Sequence, residues 1–143
     1  MSGAFQGVHL ELQSTIDVLD HLQHVAEDVS RRAGLDEEAV HWTSMAVREC
    51  VINAITHGNK SDPAKKVFVD FSVEGRDGDR CLEVVIRDQG QGFEPSEITN
   101  PLAPENILST SGRGIFLVRQ FMDEVKFQPA PGGGTEVRMR KRL

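Results

Sequence analysis

The order of the repeating patterns along the chain is the feature that constrains its fold most strongly. Two helical patterns follow a short opening strand, whereas strand-like runs dominate the rest of the sequence. Helices and strands that are segregated in this way are typical of an α+β sandwich, in which helices cover one face of a sheet. We therefore predict an α+β fold built on one sheet that is covered on one face.

Both helical patterns have recognisable ends. Ser14 and Asp17 resemble the start of a capped helix, and apolar residues then recur at helical spacing as far as Gly34, a typical C-terminal stop. Asp36 is the predicted N-cap of the second helix. This helix should continue to about His57, where a segment rich in glycine, asparagine and proline breaks it.

The strand-like runs are separated by turn residues. The predicted strands span residues 8–12, 67–73, 80–87, 124–128 and 135–139. A glycine-containing turn at 75–79 predicts that the second and third strands form a hairpin. A short helix is predicted at 112–122, and the unpatterned stretch before it, at 94–109, has the length of a binding loop or lid.

The length and composition are those of a folded domain. The chain has 143 residues, of which 38% are hydrophobic and 27% charged, so we expect one domain over residues 1–143. No apolar run approaches the roughly 20 residues of a membrane span and no secretory signal is visible, so we expect a cytoplasmic location. Cys50 and Cys81 lie in apolar runs, and both are predicted to be buried, reduced thiols.

The charge distribution argues against nucleic acid as the main partner, because the net charge is -6. One small basic cluster lies near the C-terminus and contains Arg138, Arg140, Lys141 and Arg142. We interpret this cluster as a solvated end of the chain rather than a phosphate-binding patch.

The second helix carries two polar side chains among residues that should pack. Trp42, Met45, Glu49, Ile52 and Asn53 share one face of this helix. The opposite face is apolar and contains Val40, Val47, Cys50, Val51 and Ala54. Such a helix is predicted to be buried on both sides, with Glu49 and Asn53 reaching one shared point. The pair is either structural, satisfied by a neighbouring arginine or by backbone, or it binds a ligand.

A second group of candidate residues follows the third strand. Asp88 is followed by glycines at alternate positions, Gly90 and Gly92. Glycines let the backbone approach a flat ligand closely, and Asp88 would face that ligand as an acceptor for an exocyclic amine. The alternative is an ordinary Asp/Gly turn after a strand.

Two further glycine-containing stretches have the chemistry of ligand-binding loops. The stretch SGRGI opens the short helix, where Gly112 and Gly114 would expose backbone N–H groups to phosphates and Arg113 adds a cation. The stretch GGTEV opens the last strand and contributes the hydroxyl of Thr135. The alternatives are a flexible helix start and a hairpin turn.

The order of these four stretches resembles the GHKL ATPase family, which includes the ATPase domains of gyrase, histidine kinases, heat-shock chaperones and mismatch-repair proteins. Within that family, ECVINAITHG at 49–58 and SGRGIFLVRQFMDEV at 111–125 are similar to the small anti-sigma-factor serine/threonine kinases. The resemblance covers nearly the whole chain. It implies a two-layer sandwich of the GHKL (Bergerat) type with a mixed, mostly antiparallel sheet, a lid at about 94–111, and ATP and Mg²⁺ as cofactors.

The resemblance also implies roles for the candidate residues. Asn53 would ligate a Mg²⁺ ion that bridges the ATP phosphates, and Glu49 would orient and deprotonate the attacking hydroxyl. Asp88 would accept a hydrogen bond from the adenine amino group. The other implied nucleotide contacts are His57, Gly90, Gly92, Gly112, Gly114 and Thr135.

One position departs from the family pattern. The similar kinases have an arginine near the γ-phosphate, directly before Ser-Gly, where this chain has Thr110. The segment at 94–109 contains no lysine or arginine. Arg113 is therefore the predicted replacement, with a catalytic role in stabilising charge.

The resemblance implies a serine/threonine kinase that phosphorylates a STAS-type antagonist and binds a sigma factor or another effector in a bacterial partner-switching system. It is compatible with a homodimer and gives no role to nucleic acid or to a membrane. Two alternatives stay open: an ATP-dependent interaction module with little or no kinase activity, and a detached histidine-kinase catalytic domain. Glu49 favours the kinase, and Thr110 favours the interaction module.

Overall fold

The structure, a computed structural model, describes residues 7–76, 78–90 and 118–143. The strands are β1 (Val8–Gln13), β2 (Lys66–Arg76), β3 (Asp79–Arg87), β4 (Glu124–Pro129) and β5 (Thr135–Arg142). The helices are α1 (Leu19–Ala33), which follows a short 3₁₀ turn (Ile16–Val18), and α2 (Glu37–Asn53), which continues into a π turn (Ala54–Gly58). Residues 118–121 are also helical. The predicted α+β architecture is confirmed.

The five strands form one sheet in the order β1-β2-β3-β5-β4, and all its described pairings are antiparallel. Side chains alternate across it, so that Val67, Val69 and Phe71 of β2 are buried while Phe68 and Asp70 lie on the other face. The buried face forms one apolar cluster with α1 and α2. The predicted hairpin between β2 and β3 is present, with Val69 opposite Ile86.

Two of the predicted helix ends, the stop at Gly34 and the N-cap at Asp36, are confirmed. Asp36 accepts a hydrogen bond from the backbone N–H of Ala39 at 2.8 Å, and Gly34 ends α1 in the left-handed conformation at φ 106°. The predicted capping start at Ser14 is wrong. Its hydroxyl instead donates to the carbonyl of Lys65 at 2.8 Å, because Ser14 lies where the chain leaves β1 beside the start of β2.

The second helix changes its geometry before it ends. It is regular up to Asn53, and the next five residues form the π turn, which is closed by a hydrogen bond from Asn59 N–H to the carbonyl of Ala54 at 2.8 Å. Such widened turns inside or at the end of α-helices frequently occur at functional sites. Lys60 and Ser61 follow with φ values of 54° and 57°, so the chain reverses sharply there.

Two of the basic residues near the C-terminus are paired with a carboxylate on the uncovered face of the sheet. Arg140 donates to Glu83 at 2.7 Å, and Arg138 lies 3.8 Å from the same carboxylate. Lys141 is opposite the buried Leu82 on the other face, where it lies 3.7 Å from Asp123 and 4.4 Å from the centre of the Phe121 ring. These ion pairs neutralise much of the cluster.

The two cysteines are free, but only one is buried. Cys50 packs in the core with its Sγ 3.7 Å from Met139 Sδ, and burial raises the pKa of its thiol to about 12. Cys81 is partly exposed, so the prediction of burial is wrong for it; the reason is that its position in β3 faces away from the helices. Among the described residues, no helix is long and apolar enough to cross a membrane.

Candidate functional site

The site is built where the end of α2 meets the ends of two strands. Asp88 directly follows β3 and lies against Gly58, the last residue of the π turn. A Cβ atom on Gly58 would lie 2.3 Å from Asp88 Oδ2. On the other side, a Cβ on Gly134 would lie 2.4 Å from the carbonyl oxygen of Asp88. Glycine at both positions therefore allows the helix, β3 and β5 to converge on one carboxylate.

Backbone N–H groups hold the Asp88 carboxylate in place. Gly90 donates to Oδ1 at 3.0 Å, and Thr135 donates to Oδ2 at 3.2 Å. The backbone N–H of Asp88 in turn donates to the carbonyl of Thr135 at 3.1 Å. Burial raises the pKa of Asp88, and the hydrogen bonds from Gly90 and Thr135 act in the opposite direction. An ionised carboxylate can accept about four hydrogen bonds, so Asp88 keeps acceptor capacity for a ligand.

The structure places Gly90 in the same close contact. A Cβ on Gly90 would lie 1.7 Å from the carbonyl oxygen of Gly58, which no larger residue could satisfy without moving the chain. The loop after Asp88 and the end of α2 therefore touch backbone to backbone. Glycine at 90 is thus required by this contact within the protein, and the predicted approach of Gly90 to a ligand stays a prediction.

Glu49 and Asn53 lie on α2 before this contact, and their polar groups are buried. Glu49 is 9% exposed and Asn53 is 0% exposed. Within the described part of the chain, Glu49 Oε1 and both Asn53 Oδ1 and Nδ2 have no hydrogen-bond partner. Each unsatisfied buried group costs on the order of 1–3 kcal/mol, and such groups in folded proteins call for an explanation such as a bound ligand or ion. Among residues 7–76, 78–90 and 118–143, no arginine or backbone group satisfies these atoms, as the structural interpretation of the pair would require.

Burial also tunes the acidity of Glu49. It raises the pKa of the carboxyl group to about 7, against a smaller lowering effect from the neighbouring Arg48. A carboxyl group with a pKa near neutrality can accept a proton from a substrate hydroxyl more readily than an ordinary glutamate. Glu49 thus has the acidity expected of a general base.

The residues fit a magnesium–nucleotide complex better than a metal ion alone. In the described ranges, no group of three or more His, Cys, Asp or Glu side chains could hold a metal ion. Mg²⁺ commonly takes only one or two protein oxygens and completes its shell with water and substrate phosphates. The unpaired Asn53 Oδ1 offers one such oxygen.

One part of the predicted helix face is open. Trp42 is 39% exposed and Met45 is 38% exposed, so the prediction that α2 is buried on both sides is wrong in its first half. Among the described residues, the contacts on that side leave both side chains partly exposed. The Trp42 ring lies 6.5 Å from the Phe121 ring, and Met45 Sδ accepts a hydrogen bond from Gln23 at 3.7 Å.

The remaining predicted site residues divide into two groups. His57 is half-buried in the π turn, and Thr135 is 7% exposed beside Asp88. Several predicted site positions lie outside the described residues, and these are Gly92, Thr110, Gly112, Arg113, Gly114 and the lid.

Sequence reasoning missed three residues of this region. Gly58 and Gly134 are needed for the approach to Asp88, and Asn59 is fully buried beside them although it reads as a helix breaker. Their positions in the sequence were the available signal. Gly58 and Asn59 directly follow the predicted end of the second helix, and Gly134 directly precedes the predicted nucleotide contact Thr135.

Comparison with known proteins identifies the family to which the chain is similar. The model of the family described as the histidine kinase-like ATPase domain matches residues 12–141. An anti-sigma F factor of Oceanobacillus iheyensis is 38% identical over 101 residues, which are 68% of this chain and 65% of that protein. An anti-sigma F factor of Heyndrickxia coagulans is 33% identical over 116 residues, which are 76% of this chain and 72% of that protein.

The fold is similar to that of a solved structure as well. The crystal structure of the RsbU and RsbW domains of a Mycobacterium tuberculosis protein superposes with a TM-score of 0.65 at 19% identity. It covers 97% of this chain and 33% of that chain. The chain therefore spans only part of the proteins it matches, for example 65% of the length of the Oceanobacillus anti-sigma F factor.

The pKa of Glu49 predicts a pH-dependent stability. Between about pH 4.5, which is the ordinary pKa of a glutamate, and about pH 7, the Glu49 carboxyl group keeps a proton in the folded protein that it has released in the unfolded chain. The free energy of unfolding should therefore fall as the pH rises through this window and level off above it. Glu49→Gln should remove this dependence and exceed the wild-type stability at about pH 8 by on the order of 2 kcal/mol. Urea denaturation from about pH 5 to pH 8 measures both effects, with the exposed Glu38→Gln as control. Parallel pH profiles of wild type and Glu49→Gln would contradict the assignment.

The contact between Gly58 and Asp88 predicts a coupled pair of substitutions. Gly58→Ala should lower the free energy of unfolding by about 1–3 kcal/mol, because the added methyl group overlaps the Asp88 carboxylate. In an Asp88→Ala background the same change should cost much less, since the overlapping carboxyl atoms are gone. A double-mutant cycle by urea denaturation tests this, and equal costs in the two backgrounds would refute the contact.

Proposed function

The chain belongs to the family of histidine kinase-like ATPase domains, and from this premise we propose that it is a serine/threonine protein kinase and sigma-factor regulator that binds ATP with Mg²⁺. The family membership confirms the resemblance seen in the order of the sequence motifs. The anti-sigma role would place the chain in the cytoplasm, where sigma factors act.

One observation carries the proposal. The unpaired buried atoms of Glu49 and Asn53 lie on the same helix whose end touches Asp88. The site therefore combines a hydrogen-bond acceptor for a nucleobase at one end with an unsatisfied carboxyl and amide further along the helix. A bound nucleoside triphosphate would satisfy groups at both ends at once.

The proposed roles follow from the chemistry of each side chain. Asp88 accepts a hydrogen bond from the exocyclic amine of adenine, while its other acceptor positions stay on Gly90 and Thr135. Asn53 offers its amide oxygen to Mg²⁺, which when bound neutralises phosphate charge. Glu49 accepts the proton of the attacking serine or threonine hydroxyl. The hydroxyl oxygen forms the new bond to the γ-phosphorus, and the bond to the leaving ADP oxygen breaks.

The partners follow from the relatives and from the family resemblance. Relatives named anti-sigma F factor support a sigma factor as one partner. The phosphorylated protein proposed here is a small STAS-type antagonist, so that phosphorylation decides which partner the kinase holds. Homodimerisation is part of the same proposal by analogy with the family.

A specific observation favours a second candidate, an ATP-dependent interaction module without kinase activity. Thr110 stands where the similar kinases have an arginine that neutralises the γ-phosphate. Glu49 favours the kinase, since a module that only binds nucleotide has no use for a carboxyl group with a pKa of about 7. A detached histidine-kinase domain is less supported, because the curated relatives described above are anti-sigma factors.

A phosphotransfer assay tests the kinase. With labelled ATP, Mg²⁺ and the cognate antagonist, the wild type should label a serine or threonine of that protein. Glu49→Gln should reduce the transfer rate by about 100-fold or more while nucleotide still binds, because only the proton acceptor is lost. Glu38→Gln is the control. Transfer that survives the Glu49→Gln substitution would rule out Glu49 as the general base. Nucleotide binding by the wild type without any labelling of the antagonist would favour the interaction module.

Nucleotide affinity tests the role of Asp88. Asp88→Asn keeps the side-chain shape but places an NH₂ group where a backbone N–H or the adenine amine donates. The affinity for ATP should fall by about 10- to 100-fold in calorimetric titrations. Asp79→Asn, at the distant start of β3, should bind ATP like the wild type. Unchanged affinity in Asp88→Asn would undo the adenine assignment.

A further inference from the structure

The side chain of Asn59 links three parts of the fold at the edge of the site. It is fully buried directly after the π turn. Its Nδ2 donates to Ser14 Oγ at 2.7 Å and to the carbonyl of Lys66 at 3.0 Å. Its Oδ1 accepts from the backbone N–H of Gln89 at 2.8 Å. One amide therefore joins the end of β1, the start of β2 and the loop that follows β3.

Only an amide of this length satisfies all three contacts. The position requires two donated hydrogen bonds and one accepted hydrogen bond, because Lys66 presents a carbonyl and Gln89 presents an N–H. The hydroxyl hydrogen of Ser14 is already donated to Lys65, so Ser14 can only accept from Asn59. An aspartate at 59 has the same shape but no hydrogen to donate.

The third contact reaches the nucleotide site in two steps. Gln89 lies between Asp88 and Gly90, and Gly90 N–H is the donor that holds Asp88 Oδ1 at 3.0 Å. Asn59 itself is fixed by its backbone N–H on the carbonyl of Ala54 in the π turn. The Asn59 amide thus ties the orientation of the Asp88 loop to the end of α2.

We propose that Asn59 is a positioning residue for base recognition, which acts through Gln89 and Gly90 to aim the Asp88 carboxylate at the exocyclic amine of the purine. This inference rests on the proposed ATP-binding function. It adds to that function the residue that makes the site selective for an amine-bearing base. Asn59 contacts no substrate itself.

The test compares the binding of ATP with that of purine riboside triphosphate, which lacks the exocyclic amine. The wild type should bind ATP about tenfold more tightly, the effect of one such hydrogen bond. Asn59→Ala should bring this ratio close to one, because the loss of Oδ1 releases Gln89 N–H and the loop carrying Asp88 loses its fixed orientation. A merely structural role would weaken both nucleotides equally and leave the ratio unchanged.

Ser14→Ala is the matched control. It removes a hydrogen bond from the same Asn59 amide and lowers stability, but it leaves the link from Asn59 to Gln89 intact. This variant should keep the wild-type ratio. A ratio that collapses equally in Ser14→Ala would assign the effect to stability and overturn the proposal, as would a wild-type ratio in Asn59→Ala.

A second variant keeps the proposal testable if Asn59→Ala does not fold. Asn59→Ser keeps a polar side chain, but this side chain is too short to accept from Gln89 N–H as Asn59 Oδ1 does. Asn59→Ser should lower the ratio by about threefold or more, the loss of one hydrogen bond. An unchanged ratio would overturn the proposal. If the wild type binds neither nucleotide, the proposed function itself fails, which separates the two outcomes.

Discussion

The close approach of backbone at Gly58 to the carboxylate of Asp88 is the contact on which the rest of the site depends. It is possible only because a helix ends in a wide π turn with a glycine as its last residue. At about 3.6 residues per turn, this places Asn53 and Glu49 roughly one and a half and two and a half turns from the contact with Asp88. One rigid helix therefore sets the spacing between the two ends of the site, and no flexible loop has to hold it.

The two ends of the site also differ in whether their buried polar groups have hydrogen-bond partners. Asp88 and Asn59 are buried and bonded on several sides, so they make the frame of the site rigid. Glu49 and Asn53 are buried and unpaired within the described chain, which costs stability in the free protein. Side chains that stay unpaired while their neighbours are fully bonded are poised for a ligand. The protein thus gives up folding free energy where binding recovers it.

The sequence predicted much of this fold, because its main signals are local. The helix ends at Gly34 and Asp36 and the hairpin between β2 and β3 depend on nearby residues and follow from capping and turn chemistry. Ser14 misled for the opposite reason, since a contact with Lys65, remote in sequence, uses the hydroxyl that a capping box would need. Asn59 was missed for the same reason, because its contacts are remote in sequence. Its three partners come together only in the folded sheet.

In the proposed kinase, phosphoryl transfer requires positive charge near the γ-phosphate, and Arg113 is a residue that would supply it. Arg48 is the cation whose charge acts on Glu49 within the described ranges, and it is committed to α1 through Gln23 Oε1 at 3.0 Å. Its effect on the pKa of Glu49 is smaller than that of burial. In the proposed kinase, transfer needs positive charge at the γ-phosphate itself. Because Thr110 stands in place of the arginine, that charge would come from a metal ion held by Asn53 and from Arg113. The choice between a kinase and an interaction module therefore depends on Arg113 more than on Glu49.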